Sequence, residues 1–410
     1  MDQTIGLLGG GQLGRMLCEA ANSLGAKIII LDAPFSSAKQ VYSRFTHIDG
    51  SFTDPEKIRE LARRVDIITV ESEHVNTHVL EEIAENGVEI IGEDGSSTIK
   101  RVQIQPSWRT IRIIQDKYEQ KQHLTAHKVQ TVEAKPIGST IEDLQAVGQI
   151  FGFPFMLKSR KDAYDGKGNF IVKKSGDFEE ALEVLRSKDL YAEKWADFQM
   201  ELAVMVVKFE EDTFSDARAA TAVYPVVETI HRDNICHLVY APARNISDDI
   251  RQNAMELARK AVGSLWGRGI FGVELFLLRN GDLVVNEIAP RPHNSGHYTI
   301  EACPTISQYK SQLLSVLGIF PSISDPVIPM TVPAAIMLNI LGGFSETSHE
   351  LLAQKARAIL CAGLHLYGKD SKPGRKIGHV TVISDTMQQA ETTLLPLIQL
   401  ADNIRAERKR

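Results

Sequence analysis

Two glutamates that must face each other are the first place in this 410-residue sequence where residue type and spacing dictate a chemistry. The segment from Gly272 to Ala289, GVELFLLRNGDLVVNEIA, reads as two apolar strands joined by Asn280-Gly281, the preferred pair for a two-residue type I′ turn. With those two residues in the turn, Arg279 faces Asp282, Leu278 faces Leu283 and Glu274 faces Glu287. Like charges opposed across a ladder repel. With hard oxygen donors and no His or Cys beside them, the compensating cation is Mg²⁺ carried on a phosphorylated substrate. A solvated edge pair, a bulge-shifted register and a shared proton are the competing readings. The apolar neighbours Val273, Leu275, Phe276, Val284, Val285 and Ile288 favour a covered sheet.

Cations follow the same logic. Lys158 ends the strand FPFMLKS, and the loop SRKDAYDGKGN from Ser159 to Asn169 sets Gly166 and Gly168 around Lys167. Such a loop can close over phosphates with its backbone N–H groups, or be an ordinary cationic turn. The Walker pattern GxxxxGK[ST] is absent, which removes the P-loop class. Tyr191-Ala192-Glu193-Lys194-Trp195 reads as a strand entering a turn, where backbone groups could meet an adenine edge and Glu193 or Glu201 a ribose hydroxyl. Lys369, Lys372, Arg375 and Lys376 lie beside Gly368, Gly374 and Gly378, as a solvated loop or, with Arg291, a phosphate clamp. His293 and His297 have i, i+4 spacing, but Pro290, Pro292 and Gly296 argue against the helix that a zinc pair needs.

At the N-terminus, Gly9-Gly10-Gly11-Gln12-Leu13-Gly14 follows a strand and opens a helix, with Asp32 ending the next strand. That is the dinucleotide fingerprint, although another phosphate or close packing would use the same glycines.

These residues are carried by alternating elements. TIGLL, KIIIL, DIITV and VEII between Thr4 and Ile91 alternate with helical patterns at Gln12–Leu24 and Pro55–Arg64, a parallel, doubly wound α/β unit. Pro106 to His127 is amphipathic, with Trp108, Ile111, Ile114 and Tyr118 on one stripe, and reads as a connector. Phe153 to Ile288 is α+β, with strands FPFMLKS, ELAVMVVKF, GVELFLL and LVVNEIA and helices near 177–186 and 248–265. AAIMLNIL, ARAILCAGLHLYG and GHVTVIS follow, then a helix from Thr386 to about Ala401. Three domains are expected, at 1–116, 117–320 and 321–410. The last residues, ADNIRAERKR, read as a cut linker rather than a docked end, which suggests the first part of a bifunctional protein.

Composition narrows the class. With 43% apolar and 24% charged residues, 29 Gly and 16 Pro, wholesale disorder and fibrous repeats are excluded. A net charge of −6 provides no global cationic field for nucleic acid. Cys18, Cys236, Cys303 and Cys361 form no CxxC pair, as expected of reduced thiols in a cytoplasmic chain, and no signal-peptide pattern opens the sequence. Pro326 to Phe344 is uncharged, but its prolines and glycines make it a loop feeding a buried strand rather than a membrane helix.

Together, Lys158, the YDGKG loop, YAEKW, Glu274 and Asn286-Glu287 resemble the ATP-grasp superfamily. GGGQLGRM, ESEHVN, IQDKYEQKQ, AYDGKG, NEIAPRPHNSGH and PGRKIGH resemble, over nearly the whole chain, the N5-carboxyaminoimidazole ribonucleotide synthetases. The resemblance implies a three-domain architecture: an N-terminal Rossmann-like parallel sheet, an ATP-grasp unit and a small β-rich C-terminal domain. It implies ATP contacts from Lys117, Lys158, Ala163, Gly166, Gly168, Asn169, Glu193, Lys194, Trp195, Ala196, Glu201, His231 and Asn286, with Mg²⁺ on Glu274 and Glu287. Gly11, Gln12, Leu13, Glu73, Tyr164, Asp165, Arg291, His293, Asn294, Lys369, Arg375 and Lys376 would surround 5-aminoimidazole ribonucleotide and bicarbonate.

The implied reaction forms carboxyphosphate and ADP and then carboxylates the exocyclic amine. Lys158 and Lys167 would neutralise the transferred phosphoryl group, and Tyr164, Asp165, Glu73 and Arg291 would complete the catalytic set. A cytoplasmic homodimer, and in some relatives a fused downstream carboxylase or mutase, are further implications. Lys117 stands where bacterial members carry Arg, His74 where they carry Asn, and Ala289 where the wider superfamily has an Asn metal ligand. A formate-dependent ligase, a nicotinamide dehydrogenase built on the first unit, and a nucleotide sensor without turnover are the rivals.

Overall fold

The computed structural model describes residues 2–161, 168–186, 189–211, 220–321 and 325–407. Its first unit is a parallel sheet in the order β3-β2-β1-β4-β7, from β1 (Thr4–Leu8), β2 (Lys27–Asp32), β3 (Ile48–Asp49), β4 (Ile67–Val70) and β7 (Gln103–Ile104). Ile5, Leu7, Leu8, Ile30, Ile67 and Val70 are fully buried, as helix-covered parallel strands require. The helices Gln12–Leu24 and Pro55–Arg64 fall where their periodicity places them; Asp54 caps the second, accepting from the N–H groups of Glu56 and Lys57.

VEII is a strand, β5 (Val88–Ile91), but it pairs antiparallel with β6 (Ser97–Lys100), outside the parallel sheet, and β7 takes the place beside β4. Strand order reverses between β1 and β4, so the Gly-rich loop and the segment Glu71–His74 leave the carboxyl ends of adjacent strands at the switch point, where such sheets bind ligands.

The amphipathic connector is two helices, Trp108–Gln115 and Lys117–Ala126, parted at Asp116. That side chain caps the second helix by accepting from the N–H groups of Tyr118 and Glu119, which places Lys117 in its first turn.

Next comes a four-stranded antiparallel sheet, β10-β9-β11-β8, made of β8 (Ala134–Ile137), β9 (Phe155–Ser159), β10 (Asn169–Val172) and β11 (Leu190–Lys194). Phe155, Leu157, Val172 and Ala192 pack under the helices Ile141–Phe151 and Phe178–Val184, so alternation turns Met156, Lys158 and Tyr191 to the opposite face.

The largest sheet is antiparallel, in the order β17-β16-β12-β14-β15-β18-β20-β19 with β13 beside β12. It contains β12 (Phe198–Lys208), β13 (Thr221–Val223), β14 (Val227–Arg232), β15 (Ile235–Ala241), β16 (Gly269–Leu278), β17 (Leu283–Ala289), β18 (Ala334–Leu341), β19 (Ala362–Leu366) and β20 (Lys376–Ser384). The helix Asp248–Gly263 packs on its first half, and Met387–Glu407 on the second. β18 pairs directly with β15, so the C-terminal strands continue the sheet that carries Glu274. Pro326 to Phe344 does feed a buried strand, β18.

The closing helix runs to Glu407 rather than Ala401, with Ile404 buried and Asp402 accepting from Arg232. This stretch of the expected linker is therefore docked. All four cysteines are free, and among the described residues no helix is long and apolar enough to cross a membrane.

Candidate active site

The hairpin puts Glu274 opposite Glu287, by a route other than the expected one. Gly281 has φ +90° and donates to the Leu278 carbonyl at 2.9 Å, while Leu278 donates to Asp282. Asn280 lacks the positive φ that a type I′ turn demands, so the loop is one residue longer than the two-residue form. The ladder then runs Leu277 with Leu283 and Leu275 with Val285 until a bulge at Asn286 adds a residue and restores Glu274 to Glu287. In consequence two successive side chains, Asn286 and Glu287, both line the cavity where a regular strand would present one.

Glu274 is held protonated to unusually high pH: burial and the Glu287 charge push its pKa up to about 7. Asn286 Nδ2 approaches its Oε2 at 3.4 Å, and Lys117 Nζ lies 2.6 Å from Glu287 Oε1. Two carboxylates and an amide oxygen form a donor set suited to a hard divalent cation.

The raised value sets a pH dependence. The unfolded chain releases this proton near the ordinary 4.5, so nucleotide-free protein loses stability as pH rises from about 4.5 through about 7. The difference is about 3 kcal/mol. Urea unfolding midpoints across that range should fall more steeply than those of Glu274→Gln; parallel profiles would refute the shift.

Facing the carboxylates across the cleft, Lys158 Nζ lies 2.7 Å from Glu193 Oε2, while Tyr191 Oη donates to Glu193 Oε1 at 3.1 Å. Burial opposes ionisation of Glu193, but Lys121 and Lys158 outweigh it and hold its pKa at about 2. Met156, Ile171, Phe198 and Phe276 give the cleft an apolar wall, with the Phe198 and Phe276 rings stacked at 4.4 Å. Trp195, Glu201 and His231 line the same end, and Glu201 pairs with His231.

Toward the first unit, Glu73 and Arg291 form a two-pronged buried pair, Nε to Oε2 at 2.6 Å and Nη2 to Oε1 at 3.2 Å. Burial works against the Glu73 charge, but Arg291 holds this carboxyl well below the usual range. His293 is kept neutral, its pKa pushed down to about 3 by burial and then by Arg291 and Lys376. Lys369 Nζ donates to Gln12 Oε1 at 3.0 Å, tying the C-terminal cationic loop to the Gly-rich loop.

One cavity of about 780 Å³ therefore gathers most of the expected set. Gly11, Gln12, Leu13, Glu73 and His74 come from the first unit, and Lys117, Lys158 and Asn169 from the connector and small sheet. Arg291, His293, Asn294, Lys369 and Lys376 complete the far end. Glu193 lies behind Lys158, Lys194 and Ala196 line a neighbouring cavity, and Gly168 accepts from the Ser159 N–H. Arg375 lies outside this lining and donates to the Asp370 carbonyl. Ala163, Tyr164, Asp165, Gly166 and Lys167 lie outside the described residues.

The Gly-rich loop is a correction. Its anion is the protein's own: Glu71 accepts from the N–H groups of Gly11 and Gly14, both at 2.5 Å, and Asp32 accepts from Gly10 at 2.5 Å. A Cβ on Gly11 would sit 2.5 Å from Glu71 Oε1, so these glycines serve close packing around a carboxylate. The N–H groups of Gly10, Gly11 and Gly14 are thus taken by the protein's own carboxylates rather than by a pyrophosphate, which counts against the dehydrogenase reading. Glu71 and Lys121 carry no local signal in the sequence, since Glu71 meets the Gly-rich loop from about 60 positions away and Lys121 lies 3.4 Å from Glu193, more than 70 positions on.

A nucleotide-sized cleft between two antiparallel sheets, a lysine on one and paired carboxylates on the other, defines the ATP-grasp class, and residues 122–309 match the ATP-grasp domain. Residues 1–115 match the ribonucleotide synthetase preATP-grasp domain and 335–393 the phosphoribosylaminoimidazole carboxylase C-terminal domain. The chain belongs to the N5-carboxyaminoimidazole ribonucleotide synthetase family.

It is 33% identical to the N5-carboxyaminoimidazole ribonucleotide synthase of Staphylococcus haemolyticus over 96% of both chains. It is 48% identical to the phosphoribosylaminoimidazole carboxylase of Candida albicans, over 96% of this chain but only 66% of that longer protein. The carboxyaminoimidazole ribonucleotide synthase of Aspergillus clavatus, solved with ATP, superimposes with a TM-score of 0.88 at 46% identity, covering 98% of this chain and 99% of that one. The same enzyme has been solved with ADP and 5-aminoimidazole ribonucleotide.

Proposed function

We propose that this cleft carboxylates 5-aminoimidazole ribonucleotide to N5-carboxyaminoimidazole ribonucleotide, using ATP and bicarbonate, in purine biosynthesis. The observation that carries the reading is the single cavity in which Lys158 faces Glu274 and Glu287 while Arg291, Lys369 and Lys376 gather at its other end. Each expected segment, 1–116, 117–320 and 321–410, contributes to it.

The adenine ring lies on the apolar wall of Met156, Ile171 and Phe276, and the phosphates run toward Lys158. Glu274, Glu287 and the Asn286 amide oxygen would hold Mg²⁺, which when bound would supply positive charge to offset that of the phosphates. A bicarbonate oxygen attacks the γ-phosphorus, the bond to the β–γ bridging oxygen breaks, and ADP leaves with carboxyphosphate formed. The carboxyl group then passes to the exocyclic amine, which loses a proton as phosphate departs. Lys158 offsets charge on the transferred group. The Glu73–Arg291 pair holds the guanidinium in one orientation toward the ribonucleotide, and Lys369 and Lys376 attract its phosphate. A neutral His293 adds no competing charge.

The test is ADP release with MgATP and bicarbonate, with and without the ribonucleotide, while free amine is followed. Ribonucleotide-dependent ADP release matched by amine loss is expected. ADP without amine loss would mean another acceptor, and support by formate in place of bicarbonate would mean a formate-dependent ligase. In the longer fungal relatives the same step would supply the carboxylated intermediate to the remainder of the protein.

A further inference from the structure

Strand β17 is the edge of the large sheet, and its free side is met by one backbone bridge, the Val285 N–H donating to the Gln130 carbonyl at 2.8 Å, and otherwise by side chains. Gln120 donates from Nε2 to the Ile288 carbonyl at 3.1 Å and accepts the Ile288 N–H on Oε1 at 3.0 Å, both bonds a neighbouring strand would make. One residue on, buried Lys121 donates from Nζ to the carbonyl of Asn286 at 2.8 Å and of Val285 at 3.3 Å. Thr131 Oγ1, itself 3.1 Å from Lys121 Nζ, donates to the Val285 carbonyl at 2.7 Å. These bonds bracket the bulged residue, Asn286.

Without the bulge, the register that pairs Leu275 with Val285 would continue, Glu274 would face Asn286, and Glu287 would face Val273. A one-residue slip exchanges the faces of a strand, so Glu287 would turn into the core that holds Val273 and Val285. Lys121 also lies 3.4 Å from Glu193, the partner of Lys158, so one ammonium joins the bulge to the phosphate-facing lysine.

We propose that Gln120 and Lys121 are positioning residues that hold the β17 bulge and thereby put both carboxylates on the cleft face. This rests on the reading of Glu274 and Glu287 as metal ligands.

Lys121→Met leaves the Asn286 carbonyl without its donor, and Thr131→Val is a milder change at the same carbonyl cluster. In nucleotide-free protein, hydrogen exchange of the 283–289 backbone should quicken about tenfold in Lys121→Met. The Mg²⁺ concentration for half-maximal activity should rise roughly tenfold to a hundredfold, with KM for the ribonucleotide within about twofold. Should Lys121→Met not fold, Thr131→Val should move both readouts in the same direction by less. Wild-type exchange in a folded variant overturns the proposal, as does faster exchange with an unchanged Mg²⁺ response. If Glu287→Gln also leaves that response unchanged, the metal reading has failed, while faster exchange would still locate the brace on β17.

Discussion

Glu287→Gln should bind the ribonucleotide as the wild type does and lose turnover by roughly a hundredfold to a thousandfold, the usual loss when one electrostatic partner of a transferred group is removed. The substitution keeps side-chain volume and removes one of only two carboxylates facing each other across the β16–β17 ladder. It also deprives Lys117 of its 2.6 Å partner, leaving that buried ammonium to Glu73 and Glu274. The ribonucleotide end, built on Arg291 and Lys369, is untouched. Calorimetric binding of the ribonucleotide beside steady-state ADP release separates the two. An unchanged rate in folded protein would end the metal assignment.

Arg291→Met should be the most costly change to folding. Glu73 is 7% exposed, and Arg291 is the cation that holds it ionised. Removing one partner of a buried pair strands the other charge, at about 3–5 kcal/mol. Because the folded-state pKa of Glu73 is depressed, the pair stabilises above the unfolded value of 4.5 and is lost on acidification. Arg291→Met should therefore lose most stability at neutral pH and least in acid. Urea unfolding should show Glu73→Gln/Arg291→Met regaining much of that loss while ribonucleotide affinity stays weak. A double variant no more stable than Arg291→Met would show that the cost lies in packing.

What could be seen in the sequence was local. Strand runs, helix caps such as Asp54-Pro55, and the Gly-rich turn declare themselves within a few residues, and the observed elements follow them. The carboxylate pair was reached because two departures cancel: the Asn280-Gly281 loop is a residue longer than the two-residue form, and the bulge at Asn286 restores the count. Asn-Gly suits both loops, so turn chemistry alone did not separate them. The bulge depends on Gln120 and Lys121, more than 160 positions away, and no local pattern encodes that bond. Glu71 is the same case: the glycine spacing leaves a dinucleotide, another phosphate and close packing open, and the carboxylate that decides for packing comes from a strand end 60 residues on. VEII has the composition of a parallel strand, and only the pairing with Ser97–Lys100 takes it out of the sheet.

The seam between β15 and β18 bears on how this protein can be cut. A break between residues 320 and 321 looks like a clean division along the chain, yet it separates two neighbours in one hydrogen-bonded ladder. The upstream piece would expose the edge of β15 and the downstream piece the edge of β18, each long, apolar and open to pairing with another molecule. Separately expressed halves should thus be prone to clump. A split version of this protein is better divided between residues 104 and 117, because every ladder formed by β1 to β7 closes within that first unit.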